Sequence, residues 1–168
     1  MSTYRVTATR RIDAPARLAY DIIADYRDGH PRIIPPPWFR DIRVETGGIG
    51  SGTTFNFDVY AFGAKRTLHA VVTEPEPGRV IVETYRDGTV TSFTVAPADG
   101  DRACDVTIAS DMPRRAGIAG WIERAMMRRF LHRVFEAELA LLEHVARSSA
   151  AHGAATTAGA ATLGSRRS

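Results

Sequence analysis

Residues 117–147 read GIAGWIERAMMRRFLHRVFEAELALLEHVAR and form the longest periodic segment of the chain. Their large apolar residues recur at helical spacing and trace one stripe: Ile118, Trp121, Ile122, Ala125, Met126, Leu131, Val134, Phe135, Leu141, Leu142 and Val145. At 1.5 Å per residue this helix is about 45 Å long, about the width of a small domain. We therefore expect one long helix that covers the apolar face of a sheet.

The residues before this helix predict that sheet. Short strands separated by turn signals are expected at 40–46, 53–62, 66–73, 80–86, 89–95 and 103–110. Asp87-Gly88 between two of them is a strong hairpin dipeptide, and strands joined only by tight turns form an antiparallel meander. Because Phe55 and Phe57 alternate with polar residues, one face of the sheet is predicted to be buried and the other solvated.

The N-terminal region adds a strand and two short helices. Residues 4–12 alternate as a strand does, and Asp13 is a plausible N-cap for an amphipathic helix with Pro15 in its first turn. Gly29 ends that helical pattern, and a brief second helical turn is expected before three consecutive prolines, residues 35–37. The sequence thus predicts about seven strands in all.

Composition indicates one globular domain. The chain has 168 residues, of which 44% are hydrophobic and 24% charged. We expect a domain over residues 1–147 and a disordered Ala/Gly/Ser-rich tail over 148–168, which includes Arg166 and Arg167. A lone cysteine, Cys104, needs no oxidising compartment, and neither a secretory signal nor a membrane span is apparent, so the predicted location is cytoplasmic.

Several functional classes are disfavoured. The net charge is only +3 and the basic run at 114–133 alternates with apolar residues, which favours a solvated helix face over a nucleic-acid footprint. The glycines at 47–52 join two strands without a following helix, which favours a flexible hairpin or pocket-mouth loop over a phosphate loop. The five histidines lack metal-ligand spacing. We expect no metal, no other cofactor and no nucleic acid.

Four local phrases resemble one family. These are IDAP at 12–15 leading into AYDIIADY at 19–26, EPEPGRV at 74–80, TSFTVAP at 91–97 and FEAELALL at 135–142. Together with the element order they resemble the START-like superfamily, also called the SRPBCC or polyketide cyclase/dehydrase and lipid transport family. The resemblance implies an α+β helix-grip fold, in which a curved antiparallel sheet grips the long C-terminal helix around a cavity.

The resemblance also implies ligand-binding residues. We expect the cavity wall to contain Phe55, Phe57, Val59, Leu68, Ala70, Phe93, Trp121, Ala125, Met126 and His30. The alternative is that these side chains fill one another's space, because an apolar stripe is usually packed core.

Candidate polar residues are few. They are His30, Arg32, Tyr60 and Tyr85. His30 could touch a ligand from its place before Pro31, and the alternative, which a lone histidine favours, is a surface residue that caps the loop; the two tyrosines are expected to face outward. Glu138 lies on or beside the apolar stripe, so it is either a cavity acid or, as we favour, a structural carboxylate paired with a donor such as Arg10.

Three functions follow, in this order. The first is binding of a hydrophobic small molecule, lipid or polyketide-like, without transforming it, because no catalytic constellation is recognisable. The second is a cyclase or dehydrase that uses a polar group in the same cavity. The third is a protein-partner role, whose sign would be an exposed apolar patch on the sheet. The sequence specifies neither the ligand nor the oligomeric state.

Overall fold

A computed structural model describes residues 2–114 and 116–164, with side chains through His152. The elements, in chain order, are β1 (Thr3–Ile12), α1 (Ala16–Ala24), a 3-10 turn (His30–Arg32), β2 (Phe39–Thr46), β3 (Thr54–Ala61), β4 (Ala64–Glu76), β5 (Val80–Tyr85), β6 (Val90–Ala98), β7 (Ala103–Pro113) and α2 (Gly117–Gly164). The predicted order of seven strands, two short helical segments and a long C-terminal helix is confirmed.

The strands form one antiparallel sheet in the order β1-β7-β6-β5-β4-β3-β2. β2 to β7 form a meander, and β1 closes the order by pairing with β7, with Ala8 opposite Ile108. In β3 and β4 the apolar residues Phe55 and Ala70 are paired, as are Phe57 and Leu68. Strict alternation in this register places all four on the inner face, as the sequence predicts.

Helix α1 begins differently from the prediction. Its N-cap is Pro15, which provides no side-chain cap, and Asp13 does not cap it. Instead, the carboxylate of Asp101, from the β6–β7 turn, accepts a 3.1 Å hydrogen bond from the backbone N–H of Ala16. The helix N-terminus is therefore capped through tertiary structure, which ties α1 to the β6–β7 turn.

The first turns of α2 and its middle differ in packing. The middle is buried against the rest of the domain through Val134, Phe135, Leu139, Leu142 and Val145. In the first turns, however, Ile118 and Trp121 are 81% and 61% exposed. The prediction that one stripe covers the whole dry face is therefore wrong for the first turns, because a cavity separates them from the sheet.

Helix α2 also continues past Arg147, where the apolar periodicity ends, through Gly164. Alanine has the highest intrinsic helix propensity, so an Ala-rich segment can extend a helix without burying a face. The domain boundary at 147 and the disordered tail at 148–168 stay predictions, and Arg166 and Arg167 lie outside the described residues. Over the described part of the chain, no helix combines the length and the hydropathy that a membrane crossing requires.

Candidate functional site

A cavity of about 600 Å³ lies between the inner face of the sheet and the N-terminal half of α2. Its wall is mainly apolar and includes eight aromatic rings, which are those of Phe39, Phe55, Phe57, Phe62, Tyr85, Phe93, Phe130 and Phe135. Phe55 and Phe57 stack at 5.8 Å between ring centroids, and Tyr26 continues the row behind Phe55 at 4.7 Å. These contacts fix the ring positions, so the wall is largely preformed.

The structure brings together seven of the ten residues expected in this wall. They are Phe55, Phe57, Val59, Leu68, Phe93, Met126 and His30. Ala70 is buried on the same sheet face but belongs to the packed core, and Trp121 and Ala125 are exposed on the outer side of α2. The helix presents Ala119, Ile122, Met126 and Phe130 to the cavity at spacings of three and four, so Trp121 and Ala125 fall on another face.

The entrance lies where the β3–β4 hairpin approaches α2. Phe62 at the hairpin tip contacts Phe130 of the helix, with 5.4 Å between ring centroids. Phe62, Ile122 and Met126 line the cavity and are about half exposed. Large apolar side chains thus form the rim through which a hydrophobic molecule would enter.

Three ionisable side chains meet at the buried end of the cavity. His30 comes from the 3-10 turn, Glu83 from β5 and Glu138 from α2, and all three line the cavity and are buried. His30 Nε2 lies 3.9 Å from Oε1 of Glu83 and 3.8 Å from Oε1 of Glu138. We call these three residues the polar cluster.

His30 is held in one orientation. Its Nδ1 lies 2.8 Å from the carbonyl oxygen of Ile23, and its ring stacks on Tyr26 with 4.6 Å between centroids. A carbonyl only accepts, so we assign the hydrogen to Nδ1, which leaves Nε2 of the neutral ring as an acceptor facing the two carboxyl groups. The expectation of a surface histidine is wrong, because His30 is buried in contact with Ile23 of α1 and Phe93 of β6.

Glu83 is the acceptor of two phenols. Tyr26 donates to its Oε1 at 2.6 Å, and Tyr85 donates to its Oε2. Burial, and then the adjacent charge of Glu83, raise the pKa of both tyrosines well above its usual value. Both phenols thus remain neutral donors that satisfy a buried carboxylate. The expectation that Tyr85 faces outward is wrong, whereas Tyr60 lies outside this wall, beneath Arg40 and Lys65.

Glu138 has no such donors. Within the described part of the chain its carboxyl group makes no hydrogen bond, and His30 is its only ion-pair partner. Burial, followed by the charge of Glu83, raises the pKa of Glu138 well above its usual value. The predicted pairing with Arg10 is wrong, because Arg10 donates to Glu143 at 2.8 Å. Glu138 is therefore a cavity carboxyl group with unused hydrogen-bonding capacity.

Glu83 is absent from the sequence-based candidates. In β5 the inward residues are Ile81, Glu83 and Tyr85, but Val80 and Val82 make the opposite face apolar as well. Alternation therefore does not identify the inner face of this strand, and only the strand's register with β4 and β6 does. Arg32, another candidate, is exposed and lies outside the cavity wall.

The glycine-rich loop at 47–52 lies away from the cavity. Its backbone bonds to the end of α1, with Gly50 N–H donating to Ala24 O and Tyr26 N–H to Gly48 O, both at 2.9 Å. Glu74 accepts from Ser51 N–H at 2.7 Å and also from Tyr20. The predicted pocket-mouth position is wrong, since this loop anchors α1 to the sheet. Among the described residues no group of His, Cys, Asp and Glu is arranged to hold a metal, and the absence of a cofactor stays a prediction.

Several solved structures have a similar architecture. The KanY protein, solved by NMR, has a TM-score of 0.76 and 22% identity, covering 88% of this chain and 99% of that chain. A START superfamily protein from Mycobacterium smegmatis has a TM-score of 0.69 and 16% identity, covering 88% and 99%. The ZhuI aromatase/cyclase from Streptomyces sp. R1128 has a TM-score of 0.69 and 21% identity, covering 87% and 94%. At these identities the likeness shows the shared fold.

The sequence comparisons agree with the fold. No curated protein matches the chain significantly. A family model described as polyketide cyclase / dehydrase and lipid transport matches residues 3–147, which include every strand, α1 and the part of α2 that carries Glu138. The chain therefore belongs to the polyketide cyclase/dehydrase and lipid transport family.

Proposed function

We propose that this protein binds a hydrophobic small molecule, lipid or polyketide-like, in the cavity between the sheet and α2. The observation that carries the proposal is a preformed cavity of about 600 Å³ whose wall is aromatic and whose polar cluster lies at the buried end. Small-molecule sites occupy roughly 300–1,000 Å³ and combine apolar walls with a few convergent polar groups. Both features are present together here.

The ring arrangement favours a planar or conjugated ligand. Phe57 contacts Tyr85 edge-on at 6.1 Å between centroids, and Phe39 contacts Phe57 edge-on at 5.3 Å. Rings at these angles offer both faces and edges to an aromatic guest. Burying about 250 Å² of apolar ligand surface would contribute roughly 6 kcal/mol before the entropic cost of binding.

Native mass spectrometry of the purified protein tests the proposal. We expect an adduct of constant mass that is lost on denaturation and recovered in an organic extract. A protein that carries no adduct, and whose melting temperature does not change with any member of a lipid and polyketide panel, would contradict ligand binding.

A second candidate is a cyclase or dehydrase that works in the same cavity. The polar cluster favours it, since His30 Nε2 lies within 4 Å of two carboxyl groups. The structural likeness to an aromatase/cyclase gives further support. In such a reaction, Nε2 would accept a proton from a carbon next to a ligand carbonyl, and Glu138 would donate its proton to a departing hydroxyl group, which leaves as water. Proton return from His30 to Glu138 would restore both groups.

The proton-abstraction step can be tested without the natural substrate. 2-Tetralone is an aromatic ketone whose protons next to the carbonyl exchange with deuterium in heavy water, which NMR follows. We expect the protein to accelerate this exchange and the His30→Gln variant to lose the acceleration while still binding the ketone. If 2-tetralone binds and its exchange rate is unchanged from buffer, the enzyme candidate fails and the binding proposal remains.

The protein-partner role stays a prediction. Its expected sign was an apolar patch on the outer face of the sheet, where Val71 is an exposed apolar residue. On α2, Ile122 and Met126 line the cavity and are about half exposed, which favours a role for these two residues in ligand entry. Trp121 is exposed on another face of the helix.

A further inference from the structure

The charges around the cavity are distributed unevenly. Among the described residues of its wall, Arg66 is the only lysine or arginine. Arg66 is exposed and lies on β4 beside the β3–β4 hairpin, at the entrance. The buried end instead contains two carboxyl groups and one imidazole. A ligand head group that reaches this end meets no permanent cation there.

At this end of the cavity, both oxygens of Glu83 act as hydrogen-bond acceptors. They accept from the phenols of Tyr26 and Tyr85. An ionised carboxylate accepts only, so two phenol donors match that form. An anionic head group placed beside Glu83 would be repelled in surroundings where water does not screen the charge.

Glu138 favours an uncharged ligand group that forms hydrogen bonds. It is 4% exposed, lines the cavity and makes no hydrogen bond within the described chain. A buried carboxyl group without a hydrogen bond is costly, and a ligand hydroxyl group can supply one. The protonated carboxyl group of Glu138 would donate to the hydroxyl oxygen, and the hydroxyl would donate its one hydrogen to His30 Nε2, which lies 3.8 Å from Glu138.

We infer, on the basis of the proposed function, that the ligand places an uncharged hydroxyl group, a phenol or an alcohol, against Glu138 and His30, and that the cavity rejects ligands with an ionised carboxylate at that end. Glu138, which makes no hydrogen bond within the described chain, and the lack of a buried lysine or arginine in the described cavity wall both lead to this ligand class. This excludes free fatty acids and other carboxylates as ligands that bind with the carboxylate at the buried end of the cavity.

A matched pair of ligands tests the inference. 2-Naphthol and 2-naphthoate share one ring system, and at neutral pH the first is uncharged and the second is an anion. By isothermal titration calorimetry we expect the unmodified protein to bind 2-naphthol at least about tenfold more tightly, since like charges brought together in a binding site strongly disfavour association.

Two variants then identify the source of the preference. Glu83→Gln removes the buried charge with little change in shape, and we expect it to reduce the preference to less than about threefold. Glu76→Gln makes the same change at an exposed carboxylate that pairs with Arg79, and we expect the preference to stay as in the unmodified protein.

The outcomes distinguish a failure of this inference from a failure of the proposed function. Equal or tighter binding of 2-naphthoate overturns the inference and leaves ligand binding intact. If neither naphthalene compound binds and no member of the lipid and polyketide panel binds, the proposed function fails as well. The comparison of 2-naphthol with 2-naphthoate in the unmodified protein tests the inference even if Glu83→Gln does not fold.

Discussion

His30 Nε2 lies 3.8 Å from Oε1 of Glu138. The 3-10 turn near the N-terminus and the long C-terminal helix therefore meet at the buried end of the cavity. The same nitrogen lies 3.9 Å from Glu83 on the sheet. The polar cluster therefore connects the three structural parts that enclose the cavity. Its properties determine both the chemistry that the cavity can support and how stability depends on pH.

The Glu138→Gln variant should be more stable than the unmodified protein as pH rises. Burial raises the folded-state pKa of Glu138 above its usual 4.5, so the folded protein retains this proton to higher pH than the unfolded chain. The contribution of Glu138 to stability thus falls as pH rises from about 4.5 through the raised pKa. The other titratable groups facing it, Glu83, His30, Tyr26 and Tyr85, are common to both proteins.

Urea unfolding between about pH 4 and pH 8 measures this difference. We expect Glu138→Gln to gain about 1–3 kcal/mol over the unmodified protein at the upper end and little at the lower end. Glu136→Gln, on the same helix, is the control and should show no comparable trend. A stability difference for Glu138→Gln that stays constant with pH would contradict a raised pKa.

Removing one of the two hydrogen bonds that Glu83 accepts from tyrosine side chains should destabilise the fold. In Tyr26→Phe the ring remains, but the buried carboxylate loses the 2.6 Å hydrogen bond. We expect a loss of about 1–3 kcal/mol in the free energy of unfolding. Tyr60→Phe, outside the cavity, should cost less than about 0.5 kcal/mol. Equal effects of the two substitutions would show that the buried hydrogen bond contributes no special stability.

Gly50→Ala should destabilise the anchor between α1 and the sheet. Gly50 has φ of 58°, and an added Cβ would clash with the carboxylate of Glu74, which could move away only by losing its hydrogen bonds from Ser51 and Tyr20. Gly52 has φ of 84° with open space around it, so Gly52→Ala reports the backbone strain alone. We expect Gly50→Ala to lower thermal stability by about 1–3 kcal/mol more than Gly52→Ala. Similar melting temperatures for both variants would argue against the tight contact with Glu74.

Cys104 should be unreactive in the folded protein. Its thiol is buried, and burial raises its pKa to about 11. The thiolate is the reactive form, so a thiol reagent at mildly alkaline pH should modify the native protein at least about a hundredfold more slowly than the urea-unfolded chain. Rapid labelling of the native state would show that β7 opens far more readily than the buried pairing of β1 with β7 suggests.

The fold was predictable because its signals repeat along the chain. Phe55 and Phe57 alternate with polar residues, Asp87-Gly88 marks a hairpin, and residues 117–147 keep one helical period. Each signal is local and each agrees with the same global arrangement. The four family-like phrases add the order in which the elements assemble.

The site was only partly predictable. Alternation placed Phe55, Phe57 and Phe93 in the cavity wall, but apolar residues on both faces of β5 concealed Glu83. The period of α2 identified its apolar residues without showing that Trp121 faces solvent, because it does not tell which of these residues lie on the helix face that borders the cavity. Contacts between elements distant in sequence, such as His30 with Glu138, follow from the tertiary arrangement.

Titration with N-phenyl-1-naphthylamine, an uncharged probe that fluoresces in apolar surroundings, tests the central claim most directly. Leu68→Trp adds bulk inside the cavity, and Val71→Trp makes a similar change on the outer face of the same strand. We expect saturable binding of one probe molecule to the unmodified protein and to Val71→Trp, and binding at least about tenfold weaker to Leu68→Trp. Unchanged binding by a folded Leu68→Trp protein, or no binding by any of the three, would contradict a ligand site in this cavity.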